Sequence, residues 1–133
     1  MGLAAYKKTI RDSESPRQME RRVLSQATHA LAEHADTYDA ADQKSDRVSV
    51  LADGLRDALF TNQKIWSALR HDLATPGNAI PDGLKASLIS IALWVDRQTQ
   101  SVMAGAGSVA PLVEINRNII SGLAGQAPAP TEV

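Results

Sequence analysis

The feature that most constrains this sequence is an uncharged run near its middle, from Ala86 to Val95. The only polar residues in the run are Ser87 and Ser90, and both are small. A helix that is apolar around its whole circumference is unstable on a surface, because some of its apolar side chains then face water. We therefore expect this segment to lie at the centre of the fold, covered by neighbouring helices or by a partner chain.

The composition bounds the class of protein. A chain of 133 residues is long enough for one domain with a modest core. It contains no cysteine, which excludes disulfides, thiolate metal sites and cysteine nucleophiles. The formal net charge of -1 gives no general attraction to nucleic acid or to anionic membranes. No signal-peptide-like stretch precedes Tyr6, and the uncharged run is shorter than the ~20 residues that span a bilayer. We expect a cytoplasmic protein that does not enter a membrane.

Apolar residues recur at helical spacing along most of the chain, which predicts an all-α fold, a small bundle of four main helices. The first helix is predicted from Ser15, a suitable N-cap before Pro16, to about Ala35. A polar loop is predicted from Asp36 to Ser45. No segment alternates with the period of a strand, so no sheet is expected.

The other three helices follow from the same signals. The second is predicted from Asp46 to Leu73, with a possible bend at Gly54. The third opens at Pro81 and stops before Gly105, and the fourth begins near Pro111. The predicted domain organisation is a flexible arm, one helical domain and a disordered tail, over residues 1–14, 15–124 and 125–133.

Candidate chemistry is sparse. His29 and Glu33 lie one helical turn apart, as a metal-binding pair does, but a structural metal site needs about four ligands. Ser87 and Ser90 lie within an apolar helix, where serine usually bonds to the preceding turn. No nucleophile elbow or glycine-rich phosphate loop is present in the sequence. We expect no catalytic residue, no metal site and no cofactor, and we do not expect an enzyme.

Two features leave alternatives open. Residues 1–22 carry six basic and three acidic residues, a net of +3 (six minus three), which keeps RNA as a partner to test, although Tyr6 is the only aromatic there. Trp66 lies on the apolar stripe of the second helix and is predicted to be in the core. Trp94 lies at the border of its stripe, so both a core and an interface position stay open.

Four blocks carry a resemblance to a known family. They are Ile65–Leu69, Asp72–Pro81, Leu84–Val95 and Leu112–Asn116. In order and spacing these blocks resemble the FlaF family of flagellar biosynthesis regulators. The resemblance implies a non-enzymatic cytoplasmic role in flagellar assembly, with flagellin as the partner and a functional link to the FlbT-type regulator of flagellin translation.

An apolar helical bundle of this kind offers a groove for an amphipathic helix of another protein. The resemblance implies a flagellin-binding chaperone or adaptor that promotes flagellin synthesis or export. The alternatives are an RNA-linked post-transcriptional regulator of flagellin mRNA and a structural homodimer. The groove is predicted where the third and fourth helices meet, at Leu88, Ile91, Trp94, Val95, Leu112, Ile115 and Ile119.

Overall fold

The computed structural model describes residues 16–123. It contains α1 (Pro16–Ala40), α2 (Lys44–Val50), a π-helical turn (Leu51–Leu55), α3 (Arg56–Ala74), α4 (Asp82–Met103) and α5 (Ala110–Leu123). No strand is present between residues 16 and 123, so the prediction of an all-α fold with four main helices is confirmed. The predicted arm over residues 1–14, the Ser15 cap and the predicted tail over 125–133 lie outside the described residues.

The first helix is longer than predicted, because its buried stripe does not end at Ala35. Leu31, Ala35 and Tyr38 continue one face at helical spacing, and all three are buried. α1 therefore extends to Ala40, and the loop predicted from Asp36 to Ser45 is wrong. The sequence in this stretch is polar because the remaining faces of the helix are exposed.

The predicted bend at Gly54 is present and divides the second helix into α2 and α3. Gly54 has a φ of 126°, which L-residues with a side chain rarely adopt. A Cβ at this position would also lie 3.0 Å from Nε2 of His34 in α1. The π-helical turn accommodates the kink. Leu51 and Leu55, at its two ends, both stay buried on the same side.

The main helices run alternately up and down. α1 and α5 form one closely packed pair and α3 and α4 form the other, while contacts between α1 and α3 join the pairs. The end of α1 meets the start of α5, where Asp39 accepts a hydrogen bond from Val109, and the end of α4, where Tyr38 donates one to Val102. The core between the pairs contains fully buried large side chains, including Leu31, Leu55, Leu59, Trp66, Val95, Val102 and Leu112.

Candidate partner-binding surface

The uncharged run of α4 is covered on one side only. Within Ala86–Val95, only Ala92 and Val95 are buried. Ser87 and Ser90 are exposed, and the side chain of Leu93 is 42% exposed. α4 packs extensively against α3 but makes few contacts with α5. The run was expected to be covered by neighbouring helices or by a partner chain. The described helices of this chain cover it toward the core, and cover by a partner elsewhere stays a prediction.

Two hydrogen bonds show which side of α4 faces α3 and which side faces α5. Gln63 of α3 donates to Asp96 at 2.6 Å, so the Asp96 side of α4 faces α3. Gln98 donates to the carbonyl of Ser108 at 2.8 Å, so the Gln98 side faces the start of α5. Trp94 is one turn before Gln98 and about 200° around the helix from Asp96. Trp94 therefore lies on the α5 side of α4.

We call the strip between α4 and α5 the seam, defined by four half-buried side chains. Ile91 and Trp94 contribute from α4, and Ile115 and Ile119 contribute from α5. All four pack against the buried core but retain exposed area. On α5, the buried Val113 is two residues before Ile115 and so lies on the opposite side of the helix. The seam is an apolar strip on the surface with its base in the core.

The seven predicted groove residues divide into two groups. Leu88, Ile91, Trp94, Ile115 and Ile119 are half-buried, whereas Val95 and Leu112 are fully buried in the core. Val95 and Leu112 therefore lie beneath the surface, because each is at the centre of its helix's core-facing stripe. For Trp94, left open between core and interface, the structure gives an intermediate position. Partner binding by this set stays a prediction.

The core contains a buried polar chain that the sequence analysis did not predict. The indole nitrogen of Trp66 donates to Oδ1 of Asn116 at 2.9 Å, and Nδ2 of Asn116 donates to Oδ1 of Asn62 at 2.7 Å. All three side chains are almost fully buried, and Nδ2 of Asn62 has no hydrogen-bond partner among residues 16–123. The sequence contains one signal of this buried polar chain, because Asn62 interrupts the otherwise apolar stripe of α3. The chain joins α3 to α5 across the core.

A second polar cluster fixes the connection between α4 and α5, and we call it the clamp. It consists of Tyr38, Asp39 and Arg47 with residues 102–110. The Asp39 carboxylate accepts from the backbone N–H groups of Val109 and Ala110, at 2.7 and 2.9 Å. These N–H groups are at the start of α5, where a carboxylate also complements the helix dipole.

Tyr38 and Arg47 complete the clamp from the other side of the connection. The Tyr38 hydroxyl lies 2.8 Å from the carbonyl oxygen of Val102 and 3.0 Å from that of Ala106, and donates to both. Nε of Arg47 donates to the carbonyl of Gly105 at 2.7 Å. Burial raises the pKa of Tyr38, an effect partly offset by the charge of Arg47 and reinforced by Asp39. The clamp holds one end of α4 and one end of α5 at a fixed spacing.

The metal-binding pair considered in the sequence, His29 and Glu33, lies on the surface of α1. Nε2 of His29 lies 3.8 Å from Oε2 of Glu33, and both side chains are exposed. Within residues 16–123, no group of three or more histidine, cysteine, aspartate or glutamate residues is placed to hold a metal ion. In the same part of the chain, no helix is both long and apolar enough to cross a membrane.

The fold and the seam define a small all-α bundle with an uncovered apolar strip. The family model of flagellar protein FlaF matches residues 3–123, which is most of the chain. The chain therefore belongs to the FlaF family, and the resemblance predicted from its four sequence blocks is confirmed. A flagellar role follows from this membership. No curated protein and no solved structure gives a significant match.

Proposed function

We propose that this protein is a cytoplasmic, non-catalytic chaperone or adaptor that binds flagellin and so promotes flagellin synthesis or export. The observation that carries the proposal is the seam, an apolar strip along the uncharged run of α4 that residues 16–123 leave partly uncovered. Membership of the FlaF family supports the link to the flagellum. The flagellin partner is the one that the resemblance implies.

The physical reason for a protein partner is the surface that α4 exposes. Tryptophan is enriched among interface hot-spot residues, since its large side chain gains much from complete burial. Trp94 is half-buried, and Ser87 and Ser90 next to it leave room for a backbone to approach. Covering Trp94, Ile91, Ile115 and Ile119 would remove from water the apolar area that the fold leaves exposed.

The clamp supports binding because it fixes the seam in advance. Asp39 and Tyr38 hold the start of α5 and the end of α4 to the end of α1. The two helices that border the seam therefore keep their spacing without a partner present. A preformed site loses less conformational freedom on binding than one that must be assembled.

Binding of purified flagellin from the same bacterium tests the proposal, measured by calorimetry with both proteins at micromolar concentration. We expect binding at 0.15 M salt that is largely retained at 0.5 M salt, because burial of apolar surface is not screened. Trp94→Ala should weaken binding at least tenfold, in the range of a hot-spot residue. The absence of binding by the unaltered protein would refute the proposal.

Phe60→Ala is the matched control for Trp94→Ala. Phe60 is an aromatic residue 56% exposed on α3, where Lys64 lies 5.3 Å from its ring centre. It is outside the seam, so its removal should leave flagellin affinity unchanged. If Trp94→Ala and Phe60→Ala lost affinity equally, or if neither variant lost affinity, the seam would be excluded as the binding surface.

The salt dependence of RNA binding and the mass of the protein in solution separate the two alternatives. Binding of flagellin mRNA through phosphate contacts would weaken steeply as salt is added. A homodimer that uses the seam would show a dimer mass by light scattering, and Trp94→Ala would convert it to a monomer. Either result without flagellin binding would replace the proposal with that alternative.

A further inference from the structure

We infer that the seam accepts a single amphipathic helix of about four turns whose docked face carries no charged side chain. The flank of this helix that lies beside Arg97 carries an acidic residue. This inference rests on the proposed function and specifies the flagellin segment by its chemistry.

The length and shape of the seam indicate a helix. On α4 the strip reaches from Leu84, which is 54% exposed, to Gln98, a helical rise of about 21 Å. Ile91 and Trp94 on α4, and Ile115 and Ile119 on α5, have the three- and four-residue spacing of helix ridges. A third helix can place its own ridges between them. The described residues include no strand edge, so an extended segment would find no backbone partners here.

The neutral face follows from the residues that border the seam. On α4 these are Ser87, Ile91, Trp94 and Gln98, and on α5 they are Ile115 and Ile119, none of which is charged. A charged side chain on the docked face of a partner would lose its water and gain no opposite charge. The docked face must therefore consist of apolar, small or amide side chains.

The flanking charge follows from the exposed ionic residue beside Trp94. Arg97 is three residues after Trp94, about 60° around α4 from it, at the outer edge of the seam. It forms no ion pair with another residue in the described part of the chain. An acidic side chain on that flank of the docked helix would meet an opposite charge.

Placing a charge of either sign in the seam tests the neutral face, with purified flagellin as the probe. Ser87 is exposed two turns before Trp94 on the same side of α4, so Ser87→Lys and Ser87→Glu should both retain the fold. We expect both variants to bind flagellin at least about tenfold more weakly, at 0.15 and at 0.5 M salt, because an unpaired charge loses its water on binding. The controls are Ser25→Lys and Ser25→Glu, the same changes at an exposed serine of α1.

The results separate this inference from the proposed function. If the unaltered protein fails to bind flagellin, the proposed function fails. If it binds, and one Ser87 variant binds as tightly as it does or more tightly, the docked face carries charge or avoids α4, and only the inference fails.

Charge reversal tests this flank. Arg97→Glu should weaken flagellin binding by about twofold to fivefold at low salt, in the range of exposed ion pairs. At 0.5 M salt the effect should largely disappear, because exposed charges are screened. Glu114→Lys is the control and should leave the affinity unchanged, because Glu114 is exposed on α5 about 100° around the helix from Ile115 and about 140° from Ile119. A stronger affinity in Arg97→Glu would assign a basic residue to that flank and overturn this part of the inference.

Discussion

The two tryptophans of this protein occupy contrasting regions. Trp66 lies in the interior between α3 and α5, is 2% exposed, and donates a hydrogen bond to the buried Asn116. Trp94 lies in the seam between α4 and α5, is half-buried, and has no hydrogen bond to another described residue. The apolar side chains of the first region are buried, whereas those of the second keep part of their apolar area exposed. The comparison separates residues that stabilise the fold from residues that are available to a partner.

The largest expected effect is a loss of stability when the interior region around Trp66 is disrupted. Trp66→Ala should lower the free energy of unfolding by about 3–5 kcal/mol, because it leaves a large cavity in the core. In contrast, Trp94→Ala should cost about 1–2 kcal/mol, because Trp94 is only partly buried. Urea unfolding followed by circular dichroism measures both. Equal losses of stability would show that the two environments do not differ as the structure indicates.

The next effect concerns the buried polar chain. Asn116→Leu is similar in volume but removes the acceptor of the Trp66 indole and the donor to Asn62. We expect a loss of about 1–3 kcal/mol, the cost of leaving buried polar groups unpaired. Urea unfolding is again the measurement, and Ile119→Leu in the seam is the control on the same helix. A loss no greater than that of the control would mean that the hydrogen bonds contribute little.

A smaller effect concerns the clamp. Asp39→Ala removes the acceptor for the first N–H groups of α5 and should destabilise the fold by about 1–2 kcal/mol. Asp42→Ala, at an exposed position shortly after α1, is the control and should have little effect. Flagellin affinity of Asp39→Ala should fall only slightly, because Asp39 does not line the seam. A large loss of affinity with intact stability would place Asp39 in the interface instead.

The smallest effect is a dependence on alkaline pH. Burial raises the pKa of Tyr38, so the native state holds the phenol proton more tightly than the unfolded state, whose pKa is near 10. The stabilisation is fully present below pH 10 and is lost as the pH rises through the native pKa. Unfolding free energies at pH 8 and above pH 10 should therefore differ, and the difference should shrink in Tyr38→Phe. An unchanged pH dependence in that variant would assign the effect to other groups.

Local signals in the sequence predicted much of the fold. The apolar stripes gave the number and order of the helices, and the single glycine within the second stripe gave the position of its kink. The core position of Trp66 followed from the same stripe. The end of α1 was missed because the stretch after Ala35 is polar on every face except the one that contains Tyr38.

The sequence predicted the exposure of the groove residues only in part, and their role in partner binding stays a prediction. Five of the seven residues assigned to it are half-buried, but Val95 and Leu112 are buried in the core. A stripe in a sequence shows that residues share a face of a helix. It does not show how closely the neighbouring helix approaches, and that distance decides whether a residue belongs to the core or to a surface.

The sequence by itself determined the helices, the kink at Gly54 and the lack of charge from Ala86 to Val95, because each depends on residues close together in the chain. The tertiary structure decided which side of α4 stays uncovered. It also decided the pairing of Asn62 with Asn116 and of Asp39 with Val109, which are 54 and 70 positions apart. Such pairings depend on how the helices pack, since many positions along each helix offer a similar apolar face. The uncovered side of α4 is a property of that packing.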